Sequence, residues 1–457
     1  MSGTPIDPDH AGGRARRVIV VLAPSLVIAY ALLSILERRS LHADGSWAFV
    51  QSLMSGGYWI GDAYRLVADM IAETPLSVLA MIGVTDRGVL TVAHGVGYIL
   101  VPSLAWAAAM WISRSSIVFE FILLGYCATA LTSGFLAIGE YNSLFAFVAL
   151  CFAATMAFWA GQRRLLAWTV VASSMVVLSS HGLALLLAPL LLVALVLPMR
   201  RLGRPTVGGV PVILASAILL AGTVAGGLAV VFPYRSGNVR RASDLVSPLV
   251  DNHQLQFLII VLALLAVSVL ARQPWLRRVA AVVLVVGLVV LVVGWPLWAT
   301  PYEQHASRTW SAVLLFVILA ECLVACWSTL VNGQGLPRPV DGQPSGRMCT
   351  LAFAIFVALL IPASIQTIQF GSFARSFEDY VNSRTGLIPN GQFVRDVPSA
   401  ERYGWPATFP SLSLALRNAP DRAIISNPAD TIWTPPFDER EPPVIPSKYW
   451  SQKPHSA

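Results

Sequence analysis

Polar residues along this chain are few and clustered, and long apolar runs fill the space between the clusters. The runs fall near 18–36, 89–112, 116–134, 143–161, 165–180, 182–198, 209–232, 255–271, 279–299, 310–328 and 349–368. About 20 apolar residues carry a helix across a hydrocarbon core about 30 Å thick. In lipid the backbone must satisfy its own polar groups, which leaves helices as the spanning element for runs of this kind. The pattern predicts an all-α polytopic membrane protein with about eleven transmembrane helices.

One stretch tests the count. Residues 165–198 are interrupted only by Ser179, Ser180, His181 and Gly182. As a single helix they would extend about 50 Å, well beyond the apolar core. Arginines flank both ends, so two short spans joined by a tight turn are expected, with His181 dipping into the membrane profile.

The arginines also predict orientation. With a cytoplasmic N-terminus, the inner segments hold Arg14, Arg16 and Arg17; Arg114; Arg163 and Arg164; Arg200, Arg201 and Arg204; Arg272, Arg277 and Arg278; and Arg338 and Arg347. The outer turns at 135–142 and 179–182 hold none. That bias is the positive-inside rule. The expected organisation is a cytoplasmic segment 1–17, a membrane domain 18–368, and an extracytoplasmic C-terminal region 369–457. Outer loops are expected at 37–88 and 233–254.

Composition agrees: 56% of residues are hydrophobic and 12% charged, half of the ~25% charged residues of a soluble domain. The net charge of +7 comes from scattered arginines. The two lysines, Lys448 and Lys453, form no patch, so no nucleic-acid partner is expected. Cys127, Cys151, Cys322, Cys326 and Cys349 lie in or beside apolar runs and read as small core residues. The first run is read as a retained span rather than a cleaved signal. The setting that fits is the bacterial cytoplasmic (inner) membrane.

Candidate chemistry collects on the outer side. The stretch Leu41–Pro75 is too polar to cross a bilayer and rich in aromatic residues. It predicts two amphipathic surface helices, with Asp44 and Asp62 as possible N-caps. Asp44 reads either as a cap or as a general base acting on a hydroxyl. Arg65, Asp69 and Glu73 have the spacing of surface charge pairs, with substrate contact as the alternative for Arg65. Glu140 is either a cap or a second carboxylate facing Asp44. Arg235, Arg240 and Arg241 run against the orientation bias. They serve either lipid and Asp244/Asp251 contact or phosphate binding. His181 reads as a structural histidine or as part of a cavity. Glu321 sits inside a span and is expected to be buried. No P-loop, dinucleotide fingerprint, HExxH or GxSxG is present in the sequence.

The string HADGSW at 42–47 after the first run, the two amphipathic segments up to Pro75 and the tail after 368 resemble the GT-C class of membrane glycosyltransferases. HADGSWAF and GEYNSLFAF also resemble uncharacterised bacterial polytopic membrane proteins. The GT-C resemblance implies an inverting transferase that uses a polyprenyl-phosphate sugar. Asp44 would be its base, and Arg235, Arg240 and Arg241, with Arg65 and His181, would hold the donor phosphate. Two features of the class are missing: a paired acidic motif at Asp44, where Gly45 follows, and a WWD-type motif in the tail. The expected acceptor is therefore an envelope lipid or glycan rather than a protein. No cofactor is specified; a divalent cation would bridge carboxylate and phosphate, but no ligand spacing marks one. The competing readings are a transporter or flippase of lipid-linked or small organic cargo, in which Glu321 matters more, and a surface-polysaccharide polymerase or ligase built on 233–254.

Overall fold

The computed structural model describes residues 8–59, 66–132, 140–161, 164–178, 183–202, 209–231, 308–331, 345–427 and 444–450, with isolated positions between 273 and 282. Its helices are α1 (Pro8–Leu36), α2 (Asp44–Ser55), α3 (Leu66–Met81), α4 (Arg87–Ser113), α5 (Val118–Leu131), α6 (Glu140–Gly161), α7 (Arg164–Leu178), α8 (Ala184–Leu202), α9 (Gly209–Val231), α10 (Arg308–Val331) and α11 (Ser345–Asn382). Three short helices follow: α12 (Asn390–Asp396), α13 (Ser399–Tyr403) and α14 (Phe409–Leu416). The sheet is minimal. Strands β1 (Leu387–Ile388) and β2 (Ile424–Ile425) pair in parallel, Leu387 opposite Ile424 and Ile388 opposite Ile425.

Among the described residues, 5 helices are long and apolar enough to cross a membrane: Arg14–Leu36, Arg87–Ser113, Tyr141–Gly161, Gly209–Leu228 and Met348–Asn382. That points to an integral membrane protein. Shorter apolar helices at Val118–Leu131, Leu165–Leu178, Ala184–Val196 and Ser311–Trp327 coincide with four further expected runs. The runs at 255–271 and 279–299 lie outside the described residues, apart from isolated positions. The 165–198 stretch does divide into two helices, α7 and α8.

The bundle packs α6 between α4 and α7, α9 on α7 and α8, and α1 against α4 and α11. Its core holds Trp106, Phe119, Tyr126, Phe145, Phe152 and Phe356. The five cysteines are buried thiols that form no disulfide. On the outer surface Val21, Leu32, Ile213, Leu220, Val224, Ile361 and Ile365 stay exposed, the apolar faces a lipid environment would cover. Among the described residues a charged pair lies inside: Arg16 Nε sits 3.2 Å from Glu120, and the same guanidinium donates to the Arg114 and Ser116 carbonyls at 2.8 and 3.0 Å. A buried charge is tolerated when it is paired in this way.

The last helix departs from expectation. Its apolar run ends near 368, yet α11 continues to Asn382. At 1.5 Å per residue its 38 residues extend about 57 Å, beyond a bilayer core. Past 368 its pattern becomes one-faced, with Phe370, Phe373 and Phe377 buried and Ser372, Arg375 and Ser376 exposed. Phe377 meets Phe393 of α12 at 4.8 Å and Phe409 of α14 at 5.7 Å, and those two rings lie 5.2 Å apart. Around this triad grows a second core that takes Leu41, Phe49, Val50 and Leu53 from the first loop and Leu412, Ile424, Ile425 and Tyr449 from the tail. The first loop and the tail thus build one head on the end of α1 and α11. Arg38–Glu378 (2.5 Å) and Arg375–Glu37 (2.9 Å) pair the two helices at its base.

Candidate functional site

The head meets the bundle at a tight corner between α1 and α2. Arg38 turns left-handed (φ 55°, ψ 27°), Arg39–Leu41 make a single 3-10 turn, and Ala43 adopts φ 51°, ψ −130°. Arg38 and Ala43 are the non-glycine residues with positive φ among the described residues, and they bracket the corner. Such conformations cost about 1–3 kcal/mol each and persist only where the surroundings impose them. Here burial imposes them. Arg39 donates to the Tyr30 hydroxyl at 2.6 Å and to Ser34 at 3.2 Å, and its guanidinium lies 5.4 Å from the Tyr30 ring centre. The ring of His94 on α4 reaches the Ser40 carbonyl at 3.2 Å. His42 is buried, approaches the Tyr403 carbonyl through Nε2 at 3.2 Å and sets its ring edge-on to Phe370. Burial, then the Arg39 charge, pushes His42 down to about 3. It is therefore neutral, and the carbonyl contact makes Nε2 the protonated nitrogen.

This corner delivers Asp44 to the first turn of α2 with its side chain exposed. Ala43, not Asp44, occupies the cap position, and no side chain caps the helix there. The acid still lies where the helix dipole favours negative charge. One turn further, Trp47 is half-buried and meets Trp59 edge-to-face, ring centres 5.9 Å apart at 75°.

Trp59 is held in turn by α3. Its backbone N–H donates to Glu73 Oε2 at 2.8 Å, and the Tyr58 hydroxyl lies 3.0 Å from Thr74 Oγ1. Glu73 is only 1% exposed, on the α3 face that also buries Ala68, Ala72, Leu76 and Ser77. Its Oε1 has no hydrogen-bond partner among the described residues. Burial pushes this carboxyl up to about 7, against the hydrogen bond from the Trp59 amide, which favours its charge. The surface pairing expected for Glu73 is therefore corrected: the side chain is interior. Alanines at 68, 72 and 80 marked this face in the sequence as a packing face, and Glu73 sits on its edge. Gly97 shows how close that packing is, for a Cβ there would overlap the Ala72 carbonyl oxygen.

Of the residues expected to form the site, Asp44 alone has a described side chain. Glu140 opens α6, but its side chain is outside the described part. Arg65, His181, Arg235, Arg240 and Arg241 lie outside the described residues, as does Asp62. Glu321, expected to be buried, is exposed on α10 because its position faces away from the neighbours that bury Leu319, Cys322 and Cys326. The helices of the first loop are present. They do not rest freely on a surface, since α2 packs Phe49, Val50 and Leu53 into the head core. Among the described residues no three His, Cys, Asp or Glu side chains gather as a metal site.

No protein-family model, curated protein or solved structure matches this chain.

Proposed function

We propose that the chain is an inverting membrane glycosyltransferase that moves a sugar from a polyprenyl-phosphate carrier to an envelope lipid or glycan, with Asp44 as general base. The observation that carries this reading is the exposed Asp44 carboxylate at the start of α2, on a corner held by two left-handed residues at the foot of the head. Strained backbone of this kind concentrates at functional sites. A carboxylate at that level meets a substrate whose tail lies in lipid and whose sugar lies in water.

In the proposed step the acceptor oxygen attacks the anomeric carbon from the face opposite the phosphate. A C–O bond forms there as the bond to the phosphate oxygen breaks, and the electron pair leaves with polyprenyl phosphate. Asp44 takes the acceptor proton. An in-line approach inverts the anomeric centre. In this reading Arg235, Arg240, Arg241, Arg65 and His181 are the donor-phosphate ligands, the head faces the extracytoplasmic side, and the membrane is the bacterial inner membrane.

The transporter reading gains nothing from Glu321, which is not an interior group. The test is transfer from a radiolabelled polyprenyl-phosphate sugar into membrane acceptors. Removing a positioned base costs about 10²–10⁴-fold in rate. Asp44→Asn is expected to lose transfer on that scale, and equal transfer by the variant would remove the mechanism.

A further inference from the structure

We propose that Trp47 and Trp59 form the wall on which the donor's sugar ring is seated beside Asp44, with Glu73 as the positioning residue that holds the wall in place. The inference rests on the transferase reading for its ligand class; its geometry does not.

Asp44 and Trp47 are three residues apart on α2, so they are neighbours on one helix face. Trp47 and Trp59 stand at 75° to each other and both are half-buried, giving a two-sided aromatic corner with indole surface left accessible. Asp69, partly exposed, lies one turn before Glu73 on α3. A sugar ring has apolar C–H faces and a rim of hydroxyls. The faces stack on indole rings, and the rim donates hydrogen bonds to carboxylates. Aromatic planes with acidic neighbours suit that neutral, amphipathic ring better than a phosphate.

The wall is not self-supporting. Trp59 lies beyond the end of α2, after the left-handed Gly56 (φ 65°). Two bonds to α3 fix it: Glu73 to the Trp59 N–H and Thr74 to the Tyr58 hydroxyl. The Glu73 bond comes from a buried carboxyl whose second oxygen is unpartnered among the described residues. Ionised, that carboxyl grips the amide with a charge-assisted bond; protonated, it grips less. The elements packed against α3 carry these ionisable groups: Asp44 on α2; Arg87, His94 and Tyr98 on α4; Tyr141 and Cys151 on α6. Glu140 on α6 and Arg164 on α7 complete the set, with side chains outside the described part.

The experiment uses the full chain in lipid nanodiscs. The probes are the methyl glycosides of glucose, galactose, mannose and arabinose, and the readout is magnetisation transfer from protein to their ring C–H protons, titrated for affinity. At least one glycoside is expected to bind, and Trp47→Ala and Trp59→Ala to weaken it about threefold to tenfold, the scale of one aromatic contact. Trp47→Phe and Trp59→Phe, which keep an aromatic ring, should lose less. Glu73→Ala should weaken binding as the tryptophan changes do, whereas Glu73→Gln, whose neutral amide oxygen still accepts the Trp59 N–H, should restore it to the level the wild type shows below pH 7. Binding by the wild type should tighten as pH rises through about 7, and binding by Glu73→Gln should be flat. A merely structural Glu73 would show neither the rescue nor the pH profile, and their absence overturns its role. Binding of tetramethylammonium without any glycoside overturns the wall as a sugar site. Glycoside binding without transfer leaves the wall and removes the transferase. Transfer unchanged in Trp47→Ala and Glu73→Ala does the reverse.

Discussion

His42 and Tyr403 are 361 positions apart in sequence and meet at 3.2 Å, imidazole Nε2 to backbone carbonyl. The bond ties the corner before Asp44 to the end of α13, so the first loop and the tail cannot separate without exposing it. His42 sits near 3 in the folded chain against 6.5 when unfolded, because burial and Arg39 disfavour its charge. A depressed histidine leaves the unfolded state binding more protons between those values. Its contribution is complete above about 6.5 and is lost as pH falls toward 3. Because Glu73 titrates in the opposite sense, the drop between pH 7 and 5 should appear in the nanodisc-embedded Glu73→Gln variant, and adding His42→Gln should flatten it. His42→Ala should lower stability at pH 7 by about 1–3 kcal/mol, the cost of leaving the carbonyl buried and unpaired. An unchanged melting profile in both variants would show that the bond does not hold the head.

The division between what could and could not be read from the chain follows the range of the interactions. Helices α1, α4, α6, α9 and α11 announce themselves because lipid asks only for a local run of apolar residues. The head does not, because its core joins Leu41 and Phe49 to Phe377, Phe409 and Ile425 across the whole chain. Phe370, Phe373 and Phe377 keep a helical spacing, but it begins where the apolar run stops, so the pattern of the runs ends the span at 368. The burial of Glu73 is hidden in the sequence for a related reason. Its spacing from Arg65 and Asp69 is a surface signature, and the turn through Tyr58 and Trp59, whose amide bonds Glu73, lies outside that spacing.

The close approach of Gly97 to Ala72 gives a second prediction. Gly97 lies in the π turn Val96–Leu100 of α4, against the Ala72 carbonyl. Gly97→Ala leaves no room for its methyl, and α3 must move. Overpacking of this kind costs about 1–3 kcal/mol. Gly391→Ala in α12 is the control, since a Cβ there meets nothing within 4 Å. An exposed helical glycine-to-alanine change gains about 0.5–1 kcal/mol. Opposite shifts in melting temperature are expected, and equal shifts would contradict the crossing described for α3 and α4.

A third concerns how the tail is fastened. The Arg87 guanidinium at the start of α4 donates to the Leu414 and Ala415 carbonyls at 2.6 and 2.7 Å, and to the Arg417 carbonyl, at the C-terminal end of α14. Trp450 lies between two cations, its ring centre 5.0 Å from Arg87 and 5.2 Å from Arg417. A planar fork reaches several carbonyls at once, which a lysine ammonium does not match. Arg87→Ala, and to a smaller extent Arg87→Lys, should release the segment 444–450 and speed tryptic cleavage after the exposed Lys448. The released peptide is counted by mass spectrometry. Cleavage at the wild-type rate in Arg87→Ala would mean that the segment is held by Ile445, Tyr449 and the Arg417–Trp450 contact without Arg87.

Glu73 supplies the opposite pH dependence to His42. Its folded value near 7 lies above the ordinary 4.5, because burial penalises the anion more than the Trp59 amide stabilises it. A raised carboxyl binds more protons folded than unfolded between those values. The associated stability is full below about 4.5 and disappears as pH rises through 7. Glu73→Gln cannot ionise, so it should melt higher than the wild type at pH 8 and near the wild type at pH 5. The double variant His42→Gln/Glu73→Gln should show less pH dependence between 5 and 8 than either single variant. If Glu73→Gln instead tracks the wild type across the range, the carboxyl is not buried as an acid, and the grip on Trp59 must come from elsewhere in α3.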